Sequence, residues 1–352
     1  MAVYKSLLIV FVIILFFMWL SGFEYSAKAN SKRAAKRTLE QRRSWESYNA
    51  SYQHYSRSGC SYVGFGNRMK ANRQLHGIGN RLFYYSAMMY VAWLTDRRPC
   101  VFTKSNFILD KVFDVHIPRV NNKKNVCPLY TFRQRGIALY DTRVKSLVNI
   151  SRNISILLDG YFQSWMYTEP IATQLRQQLR FKKSLTAFVA DFLLKNTPRG
   201  WSTKTFVRVG VHVRRGNFLR KGRTSTGFAV ANTQYLQRAM RHFVEHFPKV
   251  QFIVASDDIQ WCRKHVKLPM FNKSNAIITF STKHNAAEDL ALLASCNHTV
   301  MTTGTYSWWA AWLANGITVY YADYPTHGSA LSKFFDYKEY YRPDWIGIDN
   351  VT

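Results

Sequence analysis

Phe206–Asn217, FVRVGVHVRRGN, is the stretch on which the fold turns. Phe206 to Val213 reads as a β-strand that ends on a histidine, two adjacent arginines and a glycine turn. The same alternation of short apolar strands and helical periodicity continues along the chain. Helix is expected from Thr233 to Phe247, strand from Gln251 to Ala255, helix from Trp261 to His265 and strand from Ala276 to Phe280. A helix from Ala286 to Ser295, a strand from Thr299 to Thr302, a helix from Ser307 to Ala314 and a strand from Thr318 to Tyr321 complete the series. Strict alternation of strand and helix specifies a parallel sheet with helical crossovers, so residues 201–352 are read as a doubly wound α/β domain.

The first half repeats the pattern less regularly. Ser61 to Phe65 reads as a strand, Gly77-Ile-Gly-Asn80 as a glycine turn, and Leu82 to Leu94 as a buried helix. Arg98 to Thr103, Ile154 to Leu158 and Gly160 to Gln163 read as further strands, and Ile171 to Lys195 has apolar residues at helical spacing. That stretch ends at the breaker cluster Thr197-Pro198-Arg199-Gly200, where a domain boundary is placed. A second α/β domain is therefore expected over residues 58–200.

Ahead of it, residues 27–57 are charged and aperiodic and read as a basic, solvated stem. Ser6 to Phe23, SLLIVFVIILFFMWLSGF, carries no charge and is about as short as a membrane span can be. Residues 1–26 are thus expected to be a cytoplasmic tail and a signal-anchor helix. Ala27-Lys28-Ala29 keeps a cleaved signal peptide open as the alternative. Basic residues crowd the carboxyl side of the span, which by itself favours the reverse orientation. Six Asn-x-Ser/Thr sequons, at Asn49, Asn149, Asn153, Asn272, Asn297 and Asn350, have a use only if the folded part is lumenal. The five cysteines, Cys60, Cys100, Cys127, Cys262 and Cys296, leave disulfides and buried free thiols equally open. A formal net charge of +29 draws anions to the surface without choosing among them, while the leader and sequons argue against a nucleic-acid partner.

Open α/β sheets bind ligands at the carboxyl ends of their strands. Three such ends carry chemistry here. His212, Arg214 and Arg215 close the first strand; paired arginines can clamp a diphosphate through charge-assisted bonds, and Gly216 permits close backbone approach. Asp257 and Asp258 end the next strand, where recognition of a guanine edge and capping of the following helix are both open. Met301-Thr-Thr-Gly-Thr-Tyr-Ser307 runs into a helix, so Thr305 and Ser307 stand with backbone amides at a helix N-terminus suited to phosphate. The tryptophans that follow are read as packing. Gly79 and Asn80 open a helix that can face the same ligand from the other domain, and Asp159-Gly-Tyr-Phe-Gln-Ser-Trp165 suits either a sugar subsite or a packed turn. No Asp-x-Asp, HExxH or CxxC pattern calls for a metal.

These landmarks, GIGNRLF, DGYFQSW, GVHVRRGN, ASDDIQWC and AEDLALLASCNHTVMTTGTYSWWAAWL, stand in the order found in the galactoside α1,2-fucosyltransferases, glycosyltransferase family 11, which the chain resembles from about Ser61 onward. The resemblance implies a GT-B-like fold of two Rossmann-like domains, the first on the acceptor side and the second binding GDP-β-L-fucose. It implies inverting transfer to the 2-hydroxyl of a galactose-like sugar on a glycoprotein or glycolipid, with no metal, and a single-pass type II protein of the Golgi membrane. Arg214 and Arg215 then hold the diphosphate, Asp257 or Asp258 the guanine, Thr305 and Ser307 the phosphate side, with His212 shaping the pocket and Asn217 counted with Gly79 and Asn80 among the donor-binding residues. Glu288 and Asp289 either contact the donor or cap a helix. In one departure, relatives read HVRRGDY where this chain has HVRRGNF. Asn217 is a poor base. The base then lies elsewhere, or departure of GDP leaves it little to do, or the chain binds GDP-fucose without turning it over.

Overall fold

The computed structural model describes residues 61–65, 77–102, 108–115, 117–120, 127–202, 205–268, 275–282 and 285–350. The expected anchor, the stem, Asn49, Cys60 and Asn272 lie outside them. Among the described residues no helix is long and apolar enough to cross a membrane.

The first half contains β1 (Tyr62–Phe65), α1 (Ile78–Thr95), β2 (Arg98–Pro99), β3 (Val101–Phe102), β4 (Arg119–Val120), β5 (Leu129–Arg133), β6 (Ser155–Asp159), α2 (Ala172–Gln178) and α3 (Lys183–Asn196). Its main sheet is parallel throughout, in the order β2-β1-β6-β5, and β3 pairs with β4 beside it. The second half contains β7 (Val207–Val213), α4 (Thr233–His246), β8 (Val250–Ser256), α5 (Ile259–His265), β9 (Ala276–Phe280), α6 (Ala286–Ala294), β10 (His298–Met301), α7 (Gly304–Ala314), β11 (Thr318–Tyr321), α8 (Tyr337–Tyr340) and β12 (Ile346–Ile348). These six strands form one parallel sheet, β12-β11-β10-β7-β8-β9. The chain runs outward from β7 to β9, then crosses back to β10 and runs outward the other way. The order therefore reverses between β7 and β10, which makes that crevice the topological switch point where such sheets take ligands.

Local chemistry accounts for the elements that build this crevice. Helix α4 buries Tyr235, Leu236, Ala239, Met240, Phe243 and Val244 on one helical face against the sheet, and Asn232 caps its start by accepting from the Tyr235 amide at 2.8 Å. Burial of its valine, leucine, methionine and phenylalanine side chains stabilises by about 1.5–3 kcal/mol each. Helix α7 buries Ser307 to Trp312, with Trp308, Trp309 and Trp312 fully buried as the packing reading expects. It lies between the two sheets, and Phe83 of α1 packs on Trp308 and Trp309 at ring-centre distances of 4.7 and 5.3 Å. Both sheets belong to one compact unit, Gly59–Thr352.

Three expected elements come out differently. Gly160 to Gln163 is not a strand; the Gln134 side-chain oxygen accepts from the Tyr161 and Phe162 amides at 2.9 and 2.7 Å, and Phe162 takes a left-handed φ of 54°. Ile171 to Lys195 is two helices, because Phe181 is pulled out to bridge Phe113, with their rings 4.8 Å apart. The strand from Arg98 divides at Cys100, whose amide donates to the Val63 carbonyl at 2.8 Å before the chain moves on to pair with β4.

Candidate functional site

Thr302 ties the two strands at the switch point together. Its amide and its hydroxyl both donate to the His212 carbonyl, at 3.2 and 3.1 Å, and its oxygen accepts from the Arg214 amide at 2.9 Å. These bonds set the direction in which the chain leaves β7 and hence where both arginines stand. Thr302 was not singled out from the sequence, since a threonine at a strand end carries no signal of its own.

The arginines meet the aspartates of the neighbouring strand end. Arg214 Nη1 lies 2.8 Å from Asp257 Oδ2, its Nη2 donates to Asn217 Oδ1 at 2.5 Å, and its guanidinium stands 5.3 Å from the centre of the Phe218 ring. Arg215 donates from its backbone amide to Asp257 Oδ1 at 2.9 Å and from Nε to Asp258 Oδ2 at 3.3 Å, while its guanidinium stacks 3.7 Å above Trp261. Asp257 thus holds the backbone of one arginine and the side chain of the other. Gly216 lies against it: a Cβ there would stand 2.2 Å from Asp257 Oδ2, so the glycine makes room for a carboxylate of this same chain. Asp258 caps α5, accepting from the Trp261 amide at 3.2 Å. Capping is therefore present, and each carboxylate is engaged by an arginine. Among the described residues neither Nη of Arg215 has a protein acceptor, so two guanidinium nitrogens remain for an anion. Trp261 and Phe218 are arginine platforms that sequence reading missed; the one available signal was a tryptophan three residues after Asp258.

His212 is buried and neutral. Burial, with the Arg214 charge beside it, pushes its pKa down to about 3. Its Nδ1 lies 2.5 Å from Ser307 Oγ, which donates to the Thr303 carbonyl at 3.1 Å, so the pair fastens β7 to the first turn of α7. Ser307 is fully buried in that role. The first amides of α7 have no side-chain cap, nor do those of α1. The N-termini of these two helices meet. Thr305 Oγ1 donates to Asn80 Oδ1 at 2.8 Å, and Gln163 Nε2 donates to the same oxygen at 3.1 Å. A Cβ on Gly79 would stand 2.5 Å from the Thr305 carbonyl carbon, so only glycine allows this approach. Gly79, Asn80, Gln163 and Thr305, drawn from three separate sequence motifs, therefore converge beside the switch point.

Other candidates serve the scaffold. Glu288 completes a capping box with Asn285, and Asp289 accepts from the Ser281 hydroxyl. Trp165 Nε1 donates to the Lys338 carbonyl at 2.8 Å. Asn149, Asn153 and Asn297 are exposed, whereas Asn350 is half-buried with its Nδ2 donating to the Tyr321 hydroxyl at 2.5 Å. Cys127 is disulfide-bonded, and Cys100, Cys262 and Cys296 are free and buried. No group of three or more His, Cys, Asp or Glu among the described residues is arranged to hold a metal ion.

The sequence model of glycosyl transferase family 11 matches residues 66–349. The galactoside alpha-(1,2)-fucosyltransferase 1 of Sus scrofa is 29% identical over 276 residues, which is 77% of this chain and 72% of that one. The galactoside 2-alpha-L-fucosyltransferase SEC1 of Bos taurus is 28% identical over 274 residues, 77% of this chain and 71% of that one. Among solved structures, Arabidopsis thaliana FUT1 in complex with GDP superposes with a TM-score of 0.47 at 12% identity, covering 82% of this chain and 77% of that one.

Proposed function

The chain belongs to glycosyl transferase family 11, and on that footing we propose that it is a galactoside 2-α-L-fucosyltransferase. It moves L-fucose from GDP-β-L-fucose to the 2-hydroxyl of a terminal galactose on glycoprotein or glycolipid glycans. The observation that carries this reading is the anion site at the switch point: two arginines, one with uncommitted Nη groups, facing a crevice next to two helix N-termini without side-chain caps.

The two parallel sheets support a GT-B-like division, with the donor on residues 201–352 and the acceptor on residues 58–200. In the reaction the bond from fucose C1 to the β-phosphate oxygen breaks and its electron pair leaves with GDP. The acceptor oxygen bonds to C1 from the opposite face, which inverts the anomer, and releases its proton to solvent or a nearby base. Charge grows on the diphosphate as that bond breaks, and the arginines with the helix amides oppose it. That set of positive groups supports a reaction without metal. The aspartates act through the arginines they hold. The uncharged run Ser6–Phe23, the exposed sequons and the Cys127 disulfide support a single-pass type II protein of the Golgi membrane with a lumenal enzyme.

The test incubates the full chain with GDP-fucose and EDTA over a panel of β-galactosides and follows GDP release and product linkage. Acceptor-dependent release with an α1,2-fucoside is expected. Binding of GDP-fucose with no turnover on any acceptor would overturn the enzyme reading in favour of a binding protein.

A further inference from the structure

Helix α4 and the carboxyl end of α5 wall an open groove of about 600 Å³. Arg238 and Arg241 stand on one wall, and Lys264, His265 and Lys267 on the other. The Gln237 side chain donates to the Lys267 carbonyl at 3.2 Å, which ties the two walls together. His265 is set in place by its ring, stacked 4.8 Å from that of Trp261. Neither Arg214 nor Arg215 lines the groove, so it is separate from the donor site.

The chemistry of the walls selects the occupant. Among the described residues that line the groove none carries a carboxylate, and none has a side chain of hydrocarbon alone. Asp349, 3.5 Å from Arg238, offsets one charge against two arginines and two lysines. A concavity lined by one sign of charge focuses the field and draws in anions. Its volume falls in the range of sites for extended small ligands, about 300–1,000 Å³, and is more than one phosphate or sulfate fills. A flat bilayer meets the rim of a groove and leaves its floor untouched. An acidic peptide brings apolar side chains that find no apolar partner here. Sugar rings bearing anionic groups match the walls on both counts: the arginines and lysines take the charges, and the neutral amides of Gln234 and Gln237 meet the hydroxyls.

We propose that this groove binds an acidic glycan, a run of sugars carrying sulfate or carboxylate groups, apart from the site of transfer. The test measures binding of a heparin-derived hexasaccharide to the full-length chain by calorimetry at low and high salt. Lys264→Glu/Lys267→Glu is set against Lys111→Glu/Lys145→Glu, which changes net charge equally at exposed lysines of the first half. The groove variant is expected to bind roughly tenfold more weakly at low salt, with the control within about threefold of the natural chain, and the gap narrows as salt rises. Bound hexasaccharide should also shield Lys264 and Lys267, but not Lys111 and Lys145, from amine acetylation read by mass spectrometry. Equal weakening in the two variants, or no shielding in the groove, overturns the proposal, because the hexasaccharide then answers to net charge alone. So does a groove variant that keeps the hexasaccharide but loses polyglutamate or phosphatidylserine vesicles, since the occupant is then an acidic peptide or a membrane. A natural chain that binds the hexasaccharide and not GDP would sink the donor-site reading and leave this one standing.

Discussion

Replacing Gly79 by alanine probes the contact that brings the two halves of the site together. The added Cβ would stand 2.5 Å from the Thr305 carbonyl carbon and 2.6 Å from both the Thr305 oxygen and the Tyr306 nitrogen, where ordinary contact begins at 3.4 Å. All three are backbone atoms of α7, so no side chain can swing aside, and α1 and α7 must separate by about 0.9 Å. Overpacking of this kind costs about 1–3 kcal/mol. Separation also stretches the Thr305 bond to Asn80, worth about 1 kcal/mol. Better helix propensity returns up to about 1 kcal/mol. The net expectation is a loss of about 1–3 kcal/mol, or roughly 3–10 °C in Tm for a domain of this size. GDP affinity should fall as well, because the two uncapped helix ends no longer meet. Gly77→Ala is the control: nothing lies within 4 Å of a Cβ there, and its effect should stay under about 1 kcal/mol. Thermal melts and GDP titration of both variants decide the matter. A Gly79→Ala chain as stable as Gly77→Ala, with natural GDP affinity, would refute the close-approach argument.

Trp261→Leu removes the platform under Arg215 and leaves its guanidinium group a single 3.3 Å bond, to Asp258; GDP affinity is expected to drop by roughly three- to thirtyfold, the worth of a partly buried cation–π contact, and unchanged binding by folded protein would argue against it. His212→Gln tests the buried imidazole. Because the folded pKa lies near 3, below the unfolded value, the stability tied to neutral His212 is complete above about pH 6.5 and declines as pH falls toward 3. Between pH 6.5 and 5 the natural chain should therefore lose up to about 2 kcal/mol more than the glutamine variant, and parallel melting curves would contradict this. Burial pushes the thiols of Cys100 and Cys296 up to about 12 and that of Cys262 to about 11. All three should resist iodoacetamide at pH 8 in native protein and react after denaturation, as read by mass spectrometry; rapid native labelling would show that the core opens.

The second sheet was legible because its signals are local. Each strand from β7 to β11 is a short apolar run bounded by a turn, and β9 and β11 match the expected spans residue for residue. Pattern failed where burial is incomplete or the partner is remote. Strand β5 exposes four of its five residues, so it has no apolar alternation to read; β12, with two of three exposed, escaped in the same way. The false strand at Gly160 to Gln163 is a turn because Gln134, far back in the chain, satisfies its amides.

The sequence by itself determined a parallel α/β chain, the strand ends that carry arginine, aspartate and threonine, and the family to which their order belongs. Periodicity and turn chemistry act over a few residues, and those properties need nothing longer. Only the tertiary structure decided that Asp257 and Asp258 hold the arginines, that Trp261 and Phe218 lie beside the guanidinium groups, that Asn80 joins Thr305 to Gln163, and that Asn217 faces Arg214. Most of these contacts join residues far apart in the chain, and the shorter ones depend on how a turn is set against the neighbouring strand. Their partners are chosen by which strand ends the sheet order places side by side, and that order appears only once the chain has crossed back from β9 to β10.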